Sequence, residues 1–183
     1  MYKNFQDAFP EIGWIEDKKL QEQVVKVYEE ALSIGQWTLD DTDVIPFTLL
    51  IPDTLIGYRT HVRAVTRMAY QAYQEFKGMY DEKYKINLDY LIAGALLHDV
   101  GKLMEYEKKA DGTTIKSYLG KNLRHPFSGA GLAMKHNLPC EITHIIANHA
   151  HEGDGTLRSP EAVIVNKMDM LNFVVLKSFA GMI

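Results

Sequence analysis

Apolar positions in this chain recur mostly at intervals of three and four residues, the period of a helix with one buried face. In "EDKKLQEQVVKVYEEALSIG", Leu20, Val24, Val27, Ala31 and Ile34 share one side, and Gly35 reads as the stop. A longer helix is predicted from about Leu55 to Met79, with His61, Val65, Met68, Ala72 and Phe76 along its inward face. Asn87 is placed to cap the next helix, which carries Leu88, Leu91, Ala95 and His98 on one side and ends at Gly101. Three more helices follow. One runs from about His125 to His136 with Pro126 in its first turn, and one from Pro139 to near His149. The last is capped by Ser159, with Pro160 and Glu161 in its first turn.

Two stretches break the helical period. "WTLDDTDVIPFTLLIPDT" holds two prolines and an acidic cluster and reads as an extended connector. "EYEKKADGTTIKSYLG" has Asp-Gly between β-tolerant residues, the signature of a short hairpin. The fold class is therefore all-α, a helical bundle with one short β-hairpin near residues 105–118.

Composition narrows the class of function. The chain has 183 residues, 46% of them hydrophobic and 24% charged, as expected for one globular unit. A net charge of −4 leaves no broad basic surface for duplex nucleic acid. The N-terminus lacks a signal-peptide apolar core, and no run approaches the roughly 20 apolar residues that span a bilayer. A cytoplasmic protein without a membrane partner is the expectation. The single cysteine, Cys140, excludes an intramolecular disulfide and reads as a small buried apolar residue. Trp14 and Trp37 read as core packing, and a homodimer is compatible with the pattern.

The chemistry lies in the histidines. His61, His98, His125 and His149 each sit on or beside a helix with an apolar face, and Asp99 and Asp169 fall in similar contexts. An apolar helix ending on His98-Asp99 either presents a solvated end or holds a cation, because both groups are costly to bury unpaired. Helical bundles can direct such donors from separate helices toward one interior point. Imidazole and carboxylate suit divalent Mn, Fe, Co, Ni or Zn, and a carboxylate's two oxygens allow Asp99 to bridge a pair of ions. His136 and His144 are assigned structural roles.

The ordered set His61 … His98-Asp99 … Asp169 resembles the HD superfamily of metal-dependent phosphohydrolases. "HVRAVTRMA" resembles its first histidine helix, "LLHDVGK" its His-Asp signature, and "KMDML" its closing aspartate. "RHPFSGAGLA" and "IIANHAHEGDG" are similar to segments of two-metal members, including the HD-GYP group. The Tyr-Pro of that group's signature is absent, "GDGTLRSP" standing instead, so cyclic-di-GMP hydrolysis is not implied. The resemblance implies a core over about 55–175 in a single unit of 1–183, preceded by an extension over 1–54. It implies one ion on His61, His98, Asp99 and Asp169, and a second on Asp99, His125 and His149. Ala150 replaces the second histidine of a family pair, and His151, one place later, is a further candidate ligand. Lys102 is implied as a phosphate contact, the other reading being a solvated charge at a helix end. Arg124 likewise is either a phosphate contact or a surface arginine. The function implied is a metal-dependent phosphohydrolase acting on a nucleotide or other small phosphate ester through metal-activated water. Two alternatives use the same donors: a di-iron, O₂-dependent oxygenase of the myo-inositol oxygenase type, and a non-catalytic sensor stabilised by metal.

Overall fold

The structure, a computed structural model, describes residues 1–80 and 83–183. Its helices are α1 (Phe5–Ala8), α2 (Lys18–Gly35), α3 (Tyr58–Met79), α4 (Leu88–Leu97), α5 (Lys102–Glu105), α6 (Tyr118–Asn122), α7 (His125–Lys135), α8 (Cys140–Asn148) and α9 (Pro160–Phe179). One hairpin, β1 (Tyr106–Lys108) and β2 (Thr114–Lys116), pairs antiparallel with Tyr106 opposite Lys116. Gly112 in its turn has φ +87°, a conformation that costs glycine little. The chain is thus an all-α bundle with one small hairpin, and among the described residues no helix is long and apolar enough to cross a membrane.

α4 sits at the centre. Leu91 to Leu97 are buried on every side, and α2, α3, α8 and α9 pack around it. A helix apolar all round must be enclosed in this way, so the one-sided face expected for α4 is corrected. Asn87 caps it through a bond from Tyr90 N–H to Asn87 Oδ1 (3.1 Å). Ser159 Oγ likewise accepts from Ala162 N–H at the start of α9 (3.2 Å).

The structure shifts several other expectations. α3 buries Tyr58, His61, Val62, Val65, Thr66 and Ala69, while Phe76 is exposed because the last turns of α3 run beyond the core. Ile34 is exposed for a different reason: the end of α2 packs on α5 through Ala31, Leu32 and Gly35, and Ile34 lies on the opposite face. α2 ends at Gly35 as expected, and Gln36 just after it takes the left-handed capping conformation (φ 57°). Cys140 is exposed, since it opens α8 on its solvent side. Gly101 has φ −62° and does not terminate a helix. A Cβ there would lie 2.1 Å from the His125 carbonyl oxygen, so glycine is required for the close approach of α7 to the end of α4.

The N-terminal segment adds α1, a 3₁₀ turn over Pro10–Trp14 and fully buried Phe9 and Ile12. Trp37 is buried and donates its indole N–H to Leu103 O (2.9 Å). The connector after it forms a 3₁₀ turn (Asp40–Asp43) and one bridge between Pro46 and Gly57, bringing Phe47 into the interior.

Candidate metal centre

Five elements deliver the site. His61 lies in the first turn of α3, His98 and Asp99 follow α4, His125 opens α7, His149 closes α8, and Asp169 sits within α9. His61, His98, Asp99, His125 and His149 are all buried. The two oxygens of Asp99 face two different pairs of histidines. Oδ2 lies 3.2 Å from His61 Nε2 and 3.4 Å from His98 Nε2. Oδ1 lies 3.2 Å from His125 Nε2 and 3.5 Å from His149 Nε2. Asp169 Oδ1 joins the first pair, 3.1 Å from His61 Nε2 and 3.9 Å from His98 Nε2.

The far side of each ring explains the arrangement. His61 donates Nδ1–H to Asn172 Oδ1 (2.8 Å), His98 to Ala95 O (2.6 Å), His125 to Glu105 Oε2 (2.9 Å) and His149 to Ile146 O (2.8 Å). With Nδ1–H committed outward, a neutral ring turns the Nε2 lone pair inward. The Nε2 atoms then meet, at 3.3 Å between His61 and His98 and 3.2 Å between His125 and His149. Facing lone pairs repel unless a cation or proton lies between them. Asp99 Oδ1 is also buried without a hydrogen-bond donor. Such an orphaned acceptor is costly in a protein interior, and divalent metal fits this donor set. His61, His98 and Asp99 form one group of adjacent ligand atoms, and Asp99, His125 and His149 form another.

Electrostatics support the same fit. Burial opposes charge on Asp99, but Lys102 and His98 outweigh it and hold the carboxyl well below the usual range. Burial likewise opposes charge on Asp169, yet its bond to His61 keeps that carboxyl ionised. Burial lowers His61, but Asp169 and Asp99 prevail and push it up to about 9, whereas burial keeps His149 below its ordinary value. Below about pH 9, then, the metal-free centre carries a proton that an entering cation displaces. Apparent Mn²⁺ affinity is therefore expected to rise with pH, by about tenfold per unit for one released proton. Calorimetry between pH 6 and 8 in buffers of differing ionisation enthalpy measures it. A flat profile would show that no ring proton is expelled.

Lys102 Nζ donates to Asp99 Oδ2 (2.6 Å) and to Phe47 O (2.7 Å), and Asp99 raises its pKa against the effect of burial. It faces a cavity of about 210 Å³ whose floor includes Asp99, His125, His149 and Asp169. Leu49, Leu50 and Phe173 give that cavity an apolar wall, while Lys116 and Arg124 give it a cationic one. Arg124 donates Nε–H to Glu152 Oε1 (2.9 Å) and reaches Glu105 Oε1 from Nη1 (3.4 Å).

The structure does not bring His151 into either group. Its side chain is 70% exposed and turns its Nδ1 toward Glu152 Oε2 (3.3 Å). The chain leaves α8 after His149 and becomes extended at Ala150, which swings His151 to the cavity rim. His136 bonds Glu30, and His144 accepts from Ser159 N–H, both away from the centre. Sequence reasoning missed Glu105, Asn172 and Phe47, whose ring packs on His61 at 4.7 Å between centroids. Asn172 carried a usable signal, lying three residues after Asp169 on the same helical face.

The HD domain family model matches residues 58–173, and the chain belongs to that family. Within it, this chain is similar to the dihydroneopterin 2',3'-cyclic phosphate phosphodiesterase of Methanocaldococcus jannaschii, with 35% identity over 116 residues. The match covers 62% of this chain but 45% of the relative, so the chain spans less than half of that protein's length. No solved structure matches.

Proposed function

We propose that this chain is a metal-dependent phosphohydrolase acting on a small phosphate ester. The observation that carries the reading is the inward Nε2 of four buried histidines around a carboxylate with an orphaned oxygen. One ion would be held by His61, His98, Asp99 and Asp169, and a second by Asp99, His125 and His149. When bound, divalent ions supply Lewis acidity at phosphoryl oxygens and lower the pKa of water toward neutrality.

The cavity walls support a substrate with a charged end and an apolar body. Lys102 has three N–H donors, of which Asp99 and Phe47 use two. The third is available to a phosphoryl oxygen, and Arg124 would neutralise charge nearer the rim. The printed activity of the archaeal relative points to a 2',3'-cyclic phosphate as the first ester to try. We treat residues 1–183 as one functional unit, because Phe47 of the extension packs directly on His61.

The test is an anaerobic assay of the Mn²⁺- and Fe²⁺-loaded protein against 2',3'-cyclic phosphates, linear phosphodiesters and phosphomonoesters. Ring opening or phosphate release without O₂ is expected. No anaerobic turnover, with O₂ uptake and no phosphate release once air is admitted, would instead favour oxygenase chemistry. Lys102→Gln is expected to lower kcat by about 10²-fold while retaining both ions, the size of effect typical for one lost stabilising donor. Unchanged kcat would assign Lys102 to structure alone.

A further inference from the structure

The two groups of donors differ in charge. Among the described residues, His61 and His98 are met by two carboxylates, Asp99 and Asp169. His125 and His149 share only Asp99, whose other oxygen is also occupied by Lys102. The second group is therefore short of negative charge for a divalent ion. The outer hydrogen bonds show the converse asymmetry. His61, His98 and His149 donate to uncharged oxygens, whereas His125 donates to the Glu105 carboxylate.

Glu105 is built for that contact. It is buried, and its Oε2 accepts from both the backbone N–H and the Nδ1–H of His125, each at 2.9 Å. Its carbonyl accepts from Ser117 N–H (2.8 Å), and a Cβ on Gly120 would come within 2.1 Å of that same oxygen. The hairpin and α6 thus clamp the residue in place. Lys116 and Arg124 contact its other oxygen at 3.3 and 3.4 Å.

We infer that Glu105 is a positioning residue for the second ion: its carboxylate fixes the His125 ring and lends it the negative charge that the Asp99–His125–His149 trio lacks. A carboxylate behind an imidazole raises the basicity of the ligating nitrogen and holds the ring in place. The inference rests on the two-ion reading proposed above.

Titration of the full chain with Co²⁺, followed by calorimetry and visible absorption, tests both. The wild type is expected to show two binding steps, and His149→Ala identifies the step belonging to the trio by abolishing it. Glu105→Gln is expected to weaken that step by about 10–100-fold and to alter its absorption band, leaving the other step unmoved. Glu105→Asp, which keeps the charge but withdraws it by one carbon, is expected to recover part of the loss, and it carries the test if the glutamine variant does not fold. A purely structural role would weaken both steps together or neither. Unchanged Co²⁺ affinity at the trio in Glu105→Gln, or in Glu105→Asp where the glutamine variant does not fold, would overturn the role of Glu105 while leaving two ions in place. A wild-type chain that takes up no ion at the trio would overturn the two-ion reading itself, and that result is seen before any variant is compared.

Discussion

Asp99→Asn is expected to empty both groups of metal and to reduce phosphohydrolase turnover at least about 10⁴-fold, since without bound metal the pKa of the attacking water returns to its bulk value. Among the described residues, Asp99 is the one that faces all four histidines, Oδ2 toward His61 and His98 and Oδ1 toward His125 and His149. An amide of the same shape keeps one oxygen but turns an N–H donor toward one pair of rings. The substitution also leaves the Lys102 ammonium, at the cavity wall, without its anion. Stranding one member of a fully buried ion pair costs roughly 3–5 kcal/mol; Lys102 keeps access to the cavity, so a smaller loss is expected and the metal-free variant melts below the metal-free wild type. Elemental analysis, thermal melts and the phosphohydrolase assay measure the three effects. Retention of two ions by Asp99→Asn would mean that Asp99 is not the shared ligand.

Gly101→Ala is expected to damage both the stability of the chain and the metal centre. Its Cβ would sit 2.1 Å from the His125 carbonyl oxygen and 2.7 Å from Ser128 Oγ. The first of these is backbone at the start of α7, so the clash cannot be relieved by rotating a side chain. α7 must move away from the end of α4, and His125 with it. Overpacking of this kind costs about 3 kcal/mol, which lowers Tm by roughly 6–12 °C in a chain of this size. The displacement also separates His125 from Asp99 Oδ1, so the trio is expected to lose its ion before the other group does. A melt and Co²⁺ titration indistinguishable from wild type would show that the α4–α7 approach is looser than this structure places it.

Much of this fold was legible because its signals are local. Asn87 and Ser159 cap helices by bonds to residues three positions on, and the Asp-Gly of the hairpin fixes its own turn. What periodicity could not supply was phase and extent. Phe76 keeps the correct spacing but outruns the core, whereas Ile34 lies on the outward side of a helix end that is itself packed. α4 has too little amphipathic contrast for its enclosure to be read as one face. In the centre, His61, His98, Asp99, His125, His149 and Asp169 were legible from their motifs. Glu105 was not, because "MEYEKK" looks like a solvated charge run and its contact with His125 spans 20 residues. Phe47 was hidden for the same reason, reaching His61 and Lys102 from the connector. His151 was misplaced by a single extended residue, Ala150, that no pattern announces.

The measurement that bears most directly on the account is anomalous diffraction from crystals grown with Mn²⁺, collected on both sides of the metal edge. The account predicts two peaks flanking Asp99, one among His61, His98 and Asp169 and the other between His125 and His149, with His151 contacting neither. A single peak, or density that leaves the His125–His149 pair without metal at saturating Mn²⁺, would contradict it.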